Sequence, residues 1–275
     1  MTASTPVLEI DGLTIGFTRD GVEQLLVDDL TLAVEHGSAT ALVGESGSGK
    51  TLSMLAVMGL LPEGLRILAG DVRLRGESLL QLSPRSRRAR NGSEIALVPQ
   101  DAMAALNPTL DIQGHFALML RAHQQMGAGR ARARTLELLD QVGIPSPASR
   151  LRSYPHEFSG GQRQRVMIAL ALCCRPSLLI ADEPTTALDV TIQQQILDLV
   201  AELREELEMT VLWITHDLGV VAGLADRVAV LRHGRLVESG SADQIFYRPE
   251  HDYTKQLLAA TPSLFDPSAK PEARP

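Results

Sequence analysis

Eight residues, Gly44-Glu45-Ser46-Gly47-Ser48-Gly49-Lys50-Thr51, constrain this chain more than any other stretch. An apolar run, Ala39, Ala41, Leu42 and Val43, leads in, and an amphipathic run containing Leu52, Leu55, Val57, Met58, Leu60 and Leu61 leads out. A strand feeding a glycine-rich loop that opens into a helix is the context that makes G-x-x-x-x-G-K-[ST] a phosphate cradle. Gly44, Gly47 and Gly49 permit backbone angles that side chains forbid and let amides approach an anion. Those amides, with Glu45, Ser46 and Ser48 filling the loop, lie at a helix N-terminus, where the partial charge is positive. Lys50 is placed to reach β- and γ-phosphates, and the Thr51 hydroxyl to ligand Mg²⁺. The competing reading is an ordinary Gly/Ser turn, which the filled motif and its flanks disfavour.

With 275 residues the chain can bury a sizeable core, and 44% hydrophobic with 21% charged residues describes an ordinary globular protein. The formal charge of −7 argues against nucleic acid as a partner, because phosphate-backbone binding leaves a basic footprint. A nucleotide needs only a local positive site. No window reaches 18 uninterrupted apolar residues, and MTASTPVLEIDG lacks the basic and apolar regions of a signal peptide, so a cytoplasmic placement is expected. Cys173 and Cys174 lie in an apolar helical run and read as buried small hydrophobes, not as a disulfide or a metal site.

Period-two patterning predicts three short strands over residues 7–34, with Phe17 and Val27 at a distance suited to packing against a nucleotide base or simply to the core. A second β-rich patch spans Gly70 to Leu82, and the basic run Pro84 to Arg90 reads as a solvated helix face. Glu94 to Val98 is a strand ending in Pro99-Gln100, followed by an irregular stretch and helices over 112–125 and 131–142. We read 101 to about 163 as a helical insertion between strands of the main sheet. The next helix runs from about Gly161 to Cys174, ended by Arg175-Pro176. Ser177 to Ala181, apolar on both faces, is a strand of a sheet covered on both sides, as in doubly wound folds. A helix over about 191–208, a strand at Thr210 to Ile214 and a hairpin turning at His233-Gly234 follow. The tail beyond Thr261, rich in proline, is expected to be mobile.

Cleaving a phosphoanhydride needs a carboxylate for Mg²⁺ and a group to activate water. Asp182 and Glu183, at the end of the LLIA strand, fit those two roles in that order. Gln100 and His216 each follow a strand on the same sheet edge, so Gln100 can reach metal or water and His216 the γ-phosphate. Gln100 also opens the insertion, which could therefore sense the γ-phosphate.

Phe158 to Gln162, FSGGQ, is similar to the signature loop of ATP-binding cassette proteins. The ordered set GESGSGKT, Gln100, FSGGQ, LLIADE, ALD at 187–189 and His216 resembles that family over nearly the whole chain. The resemblance implies an α/β fold: a P-loop NTPase (RecA-like) core with an N-terminal antiparallel β subdomain and an inserted α-helical subdomain, one cassette over 7–261. It implies two cassettes packed head to tail, each ATP held between one cradle and the other chain's Ser159, Gly160, Gly161 and Gln162, with Asp189 beside it. A serine and two glycines opening a helix are themselves an amide-rich anion site.

DAMAALNP, SYPHEFSGGQRQRVMIALAL, ADEPTTALDVTIQQQIL, THDLGVVAGLADRVAVL and RPEHDYTKQLLAATP resemble the oligopeptide, dipeptide and nickel importer branch. Membership would imply two permease subunits, an extracytoplasmic binding protein and a peripheral position on the cytoplasmic face of the membrane. Peptides are the expected cargo and nickel or another metal chelate the alternative. Where relatives place proline after the late histidine, Asp252 follows His251 here. The cysteine cluster that ligands an iron-sulfur centre in many relatives is missing from this tail, so no such centre is expected. A soluble cassette ATPase of DNA repair or translation is a remote alternative, lacking its usual second cassette, coiled coil or basic surface. A P-loop kinase would leave FSGGQ unexplained.

Overall fold

The structure, a computed structural model, describes residues 6–186 and 188–260. Ala187 and the tail beyond Ala260 lie outside those residues. The chain opens with β1 (Leu8–Arg19) and β2 (Val22–Val34), antiparallel partners turning at Asp20-Gly21. The expected three short strands are thus two long, bulged ones. Gly12 and Asp29, at φ 59° and 57°, each add a residue without ending the strand, and the Gly12 N–H donates to Thr31 Oγ1 at 3.1 Å. A glycine or aspartate that bulges a strand looks, in sequence, like one that ends it.

β3 (Ala39–Val43), buried throughout, runs into the glycine loop and α1 (Lys50–Met58). Gly59, at φ 70°, closes α1 in the left-handed conformation. β4 (Arg66–Leu74) pairs with β1 and turns through Arg75-Gly76 into β5 (Glu77–Ser78), giving a sheet of order β2-β1-β4-β5. Ser83 caps α2 (Pro84–Arg90), which buries none of its residues. The solvated-face reading fails at one position, because the half-buried Arg87 guanidinium turns back onto the Ala56 and Val57 carbonyls that end α1.

β6 (Ile95–Val98) is followed by α3 (Ala102–Ala105), α4 (Ile112–Gln124), α5 (Ala128–Gln141), α6 (Pro147–Arg150), a 3₁₀ turn at Pro155–Glu157 and α7 (Gly160–Leu172). α3 occupies the stretch expected to be irregular. Its four residues are held by the Asp101 carboxylate, which accepts the Met103 and Ala104 amides at 2.7 and 3.1 Å. Cys173 and Cys174 are buried, as expected, but follow α7, which ends at Leu172 and not at Cys174. β7 (Leu178–Asp182), α8 (Val190–Glu206), β8 (Thr210–Thr215), α9 (Leu218–Val221), β9 (Arg227–Arg232), β10 (Arg235–Ser241), α10 (Ala242–Tyr247) and α11 (Asp252–Ala259) complete the described chain. Asp252 opens α11, a first-turn position that favours proline and acidic residues alike, so its departure from the resembled motif costs the helix nothing.

The main sheet has the order β10-β9-β3-β8-β7-β6, parallel except at β10. Alternation along its strands feeds two cores. Ala41, Val43, Leu179, Ala181, Val211 and Trp213 join the core shared by α7, α8 and the insertion, including the fully buried Phe116 of α4. Leu42, Leu178, Ile180, Leu212 and Ile214 join α1 and the antiparallel sheet on the other face. Burial on both faces is why these strands read as unbroken apolar runs. Because β3, β6, β7 and β8 are parallel, Gly44, Gln100, Glu183 and His216 all follow strand ends on one edge, where open α/β sheets place their ligands.

Candidate functional site

The glycine loop is shaped as much by what lies behind it as by its own torsions. Gly49 takes φ 104° as the N-cap of α1, and Gly47 takes 81°. A Cβ on Gly44, at φ 154°, would fall inside the Leu231 carbonyl oxygen and 2.9 Å from Ser48 Oγ. A Cβ on Gly49 would lie 3.0 Å from Val27 Cγ2. Around Gly47 nothing stands within 4 Å, so the loop is backed on one side and open on the other. Gly234 in the β9–β10 turn donates its N–H to the Ser48 carbonyl at 2.9 Å.

Lys50 is buried and its Nζ donates to the Gly44 and Glu45 carbonyls at 2.7 and 2.9 Å. Burial lowers its pKa, partly offset by Glu183 and Asp182. The Asp182 carboxyl is raised by burial, lowered by the Thr51 hydroxyl at 3.2 Å, raised by Glu183 and lowered by Lys50, with a net upward shift. A carboxylate and a hydroxyl level with each other, beside an amide nest, fit Mg²⁺, which takes one or two protein oxygens and completes its shell with phosphate and water.

Glu183 is the hub. It has φ 45°, a left-handed conformation rare outside glycine, held by its N–H donating to the Ile214 carbonyl at 2.9 Å. Its Oε2 accepts from Gln100 Nε2 at 3.2 Å and Thr186 Oγ1 at 3.1 Å, and its Oε1 lies 2.9 Å from His216 Nδ1. A carboxylate offers about four acceptor positions, so about one remains for a water proton. Since an ionised carboxylate donates nothing, Nδ1 carries the hydrogen. A cavity of about 150 Å³ opens here, lined by Glu183, Thr186, His216 and Gln193.

Ser159 and Gln162 form a second cluster. Ser159 Oγ accepts the Gln162 N–H at 3.3 Å and Gln162 Oε1 accepts the Ser159 N–H at 3.2 Å, a capping box on α7. Gly161 packs on α8 and Gly160 on the residue before its cap: a Cβ on Gly161 would stand 2.7 Å from Ile192 Cγ2, and one on Gly160 3.4 Å from Leu188 Cδ2. Asp189 spends its carboxylate as the N-cap of α8, accepting the Ile192 N–H at 3.0 Å. Among the described residues no hydrogen bond joins this cluster to the cradle. Phe17 is half-buried and outside both cores, while Val27 is wholly buried against Gly49. Sequence reasoning missed Thr186, three residues after Glu183, and Leu231, Gly234 and Tyr253, which back the glycine loop from distant parts of the chain.

Strand, amide loop, lysine and paired acids on one edge of a parallel sheet define a P-loop NTPase fold. The chain belongs to the ABC transporter family, whose profile matches residues 27–186. It is 45% identical over 265 residues to the oligopeptide transport ATP-binding protein OppD of Bacillus subtilis, covering 96% of this chain and 74% of that one. It is 47% identical over 262 residues to the peptidoglycan transport ATP-binding protein YejF of Agrobacterium fabrum, covering 95% of this chain and 48% of that protein, so it spans about half of YejF's length. Its fold matches the dimeric post-hydrolysis state of the ATP-binding cassette MJ0796 bound to ADP and Pi, with TM-score 0.75 and 26% identity over 86% of this chain and 98% of that one. Among the described residues no helix is long and apolar enough to cross a membrane.

Proposed function

We propose that this chain binds MgATP and hydrolyses it as the motor subunit of a peptide importer. The observation that carries the reading is Glu183, one residue beyond the Thr51-bonded Asp182 and held by Gln100, His216 and Thr186 with acceptor capacity to spare. The loop amides and Lys50 hold the triphosphate. Thr51 and Asp182, with Gln100 beside them, would hold Mg²⁺, which when bound neutralises charge on the β- and γ-oxygens. Glu183 takes a proton from the attacking water, and His216, fixed through Nδ1, turns Nε2 toward the γ-phosphate.

A second cassette completes each site head to tail, because the first amides of α7 lack intrahelical partners and form an anion site away from the cradle. Dimeric assembly of the solved relative supports this. Two permease subunits and an extracytoplasmic binding protein complete the importer, placing the chain at the cytoplasmic face of the membrane. Peptide cargo is supported by the similarity to OppD. Phosphate release by the wild type and by Glu183→Gln, alongside fluorescent-nucleotide binding, tests the reading. The variant is expected to bind MgATP normally and to hydrolyse it about 10²- to 10⁴-fold more slowly, the usual worth of a general base. Wild-type turnover by the variant removes Glu183 from its role.

A further inference from the structure

One contact to the cradle comes from outside every motif that defines it. Tyr253, on α11, is almost fully buried, and its Oη accepts the Glu45 N–H at 3.0 Å across 208 residues of sequence. The Gly44 carbonyl belongs to the same peptide plane and accepts Lys50 Nζ at 2.7 Å. A single rigid unit is therefore gripped at both ends, by a phenol at its N–H and by an ammonium at its oxygen. Hydrogen bonds in such a chain polarise one another, so the bond at the amide end strengthens the carbonyl as an acceptor.

Tyr253 is itself held through its ring and through its backbone. The Arg232 guanidinium stacks over its ring, 4.6 Å from the centroid, next along the chain to the Leu231 carbonyl that abuts Gly44. His251 Nδ1 accepts the Tyr253 N–H at 3.1 Å, capping α11. Glu238 of β10 accepts the Glu250 and His251 amides at 2.7 and 3.1 Å, pinning the start of that helix. The ring is thus clamped by Arg232, while His251 and Glu238 fix the backbone that carries it.

We propose that Tyr253 is a positioning residue for the nucleotide: by fixing the Gly44–Glu45 peptide it orients Lys50, so α11 sets how tightly the cradle holds MgATP. This rests on the cradle being a nucleotide site. The brace acts on the phosphate-gripping lysine and not on the water held by Glu183, so its loss falls on affinity and spares the chemical step.

The test is titration of the whole chain with a fluorescent ATP analogue and Mg²⁺, together with steady-state turnover, for wild type and Tyr253→Phe. Phenylalanine keeps the ring beneath Arg232 and removes only the hydroxyl. Kd and KM for MgATP are expected to rise about tenfold, because the peptide that orients Lys50 is no longer held at its amide end. The saturated kcat should stay within about twofold, and the nucleotide-free melting temperature should fall by no more than about 2–4 °C, the cost of one lost hydrogen bond of about 1 kcal/mol, a split that general loosening does not produce. A wild-type Kd in the folded variant overturns the proposal, as does a fall in kcat at unchanged KM. Should Tyr253→Phe not fold, Arg232→Met, which keeps the hydroxyl but unclamps the ring, is expected to raise Kd about threefold, and an unchanged value overturns the proposal. Wild type that binds no nucleotide defeats the functional reading and the brace with it, whereas tight wild-type binding matched by Tyr253→Phe defeats the brace alone.

Discussion

Adding one methyl group at Gly44 tests whether the cradle is moulded from behind. The new Cβ would enter the Leu231 carbonyl oxygen, lie 3.1 Å from that carbonyl carbon and 2.9 Å from Ser48 Oγ. Leu231 cannot yield cheaply, because it pairs with Leu236 in the β9–β10 ladder and its neighbour Val230 pairs with Val43 of β3. Overpacking of this kind costs about 1–3 kcal/mol, and φ 154° in a residue with a side chain costs about 1–3 kcal/mol more. Together that is about 2–6 kcal/mol against a total stability of about 5–15 kcal/mol.

At about 2–4 °C per kcal/mol, Gly44→Ala should melt about 10 °C below wild type in scanning calorimetry. It should also weaken MgATP, since the displaced Gly44 carbonyl is the one that holds Lys50 at 2.7 Å. Gly47→Ala supplies the comparison. Its φ of 81° is unfavourable to alanine, but nothing lies within 4 Å of the added carbon, so only the torsional cost of about 1–2 kcal/mol applies. If the two variants melt together, or Gly44→Ala matches wild type in both melting and binding, the reasoning about Leu231 is wrong.

Arg87→Ala removes a charged donor from the Ala56 and Val57 carbonyls and vacates the packing over Gly59. It should cost about 2 kcal/mol, seen as a melting temperature lower by about 4–8 °C, despite lying on a helix that buries none of its residues. Asp182→Asn should raise nucleotide-free stability at neutral pH. A carboxyl whose folded pKa is raised is unfavourably ionised in the fold, so wild type loses stability as pH rises from the unfolded value through the folded one. Melting curves across the acidic range should show that slope in wild type and a flatter profile in the variant, which should also gain less stability from MgATP.

What sequence revealed and what it hid divide by the range of the interactions involved. The glycine loop, the LLIA strand with its two acids and the His233-Gly234 turn are local patterns, set by torsion and by burial on both faces. Gln100, Glu183 and His216 could be placed on one edge because parallel strands end together. Their mutual hydrogen bonds could not be read, since they depend on side-chain reach across the edge and on a left-handed backbone at Glu183 that sequence does not announce. α3 was invisible because four residues have no period, and what fixes the turn is the Asp101 cap and the docking of Ala102 and Leu106 into the core. Tyr253 stood in a stretch noted for family resemblance alone, its contact set by how α11 docks on β9 and β10.

Behind the cradle lies a continuous stack of backbone. Asp28 donates to the Gly234 carbonyl at 2.8 Å, Gly234 donates to Ser48 at 2.9 Å, and the Leu231 carbonyl fills the space where Gly44 has no side chain. The antiparallel sheet, the last hairpin and the glycine loop thus share one set of hydrogen bonds, so the loop holds its shape through groups far from it in sequence. The Glu183 side is built differently. Gln100, Thr186 and His216 meet Glu183 through side chains, and the chain after Glu183 continues to Leu188 and Ile192, which touch Gly160 and Gly161. A partner's nucleotide seated on the Ser159–Gln162 turn would therefore press on the residues that follow Glu183, while the phosphate grip, anchored elsewhere, stays in place. On the function proposed above, the grip on ATP and the water-activating cluster would rest on separate supports, so ATP could be held before a second chain triggers its cleavage.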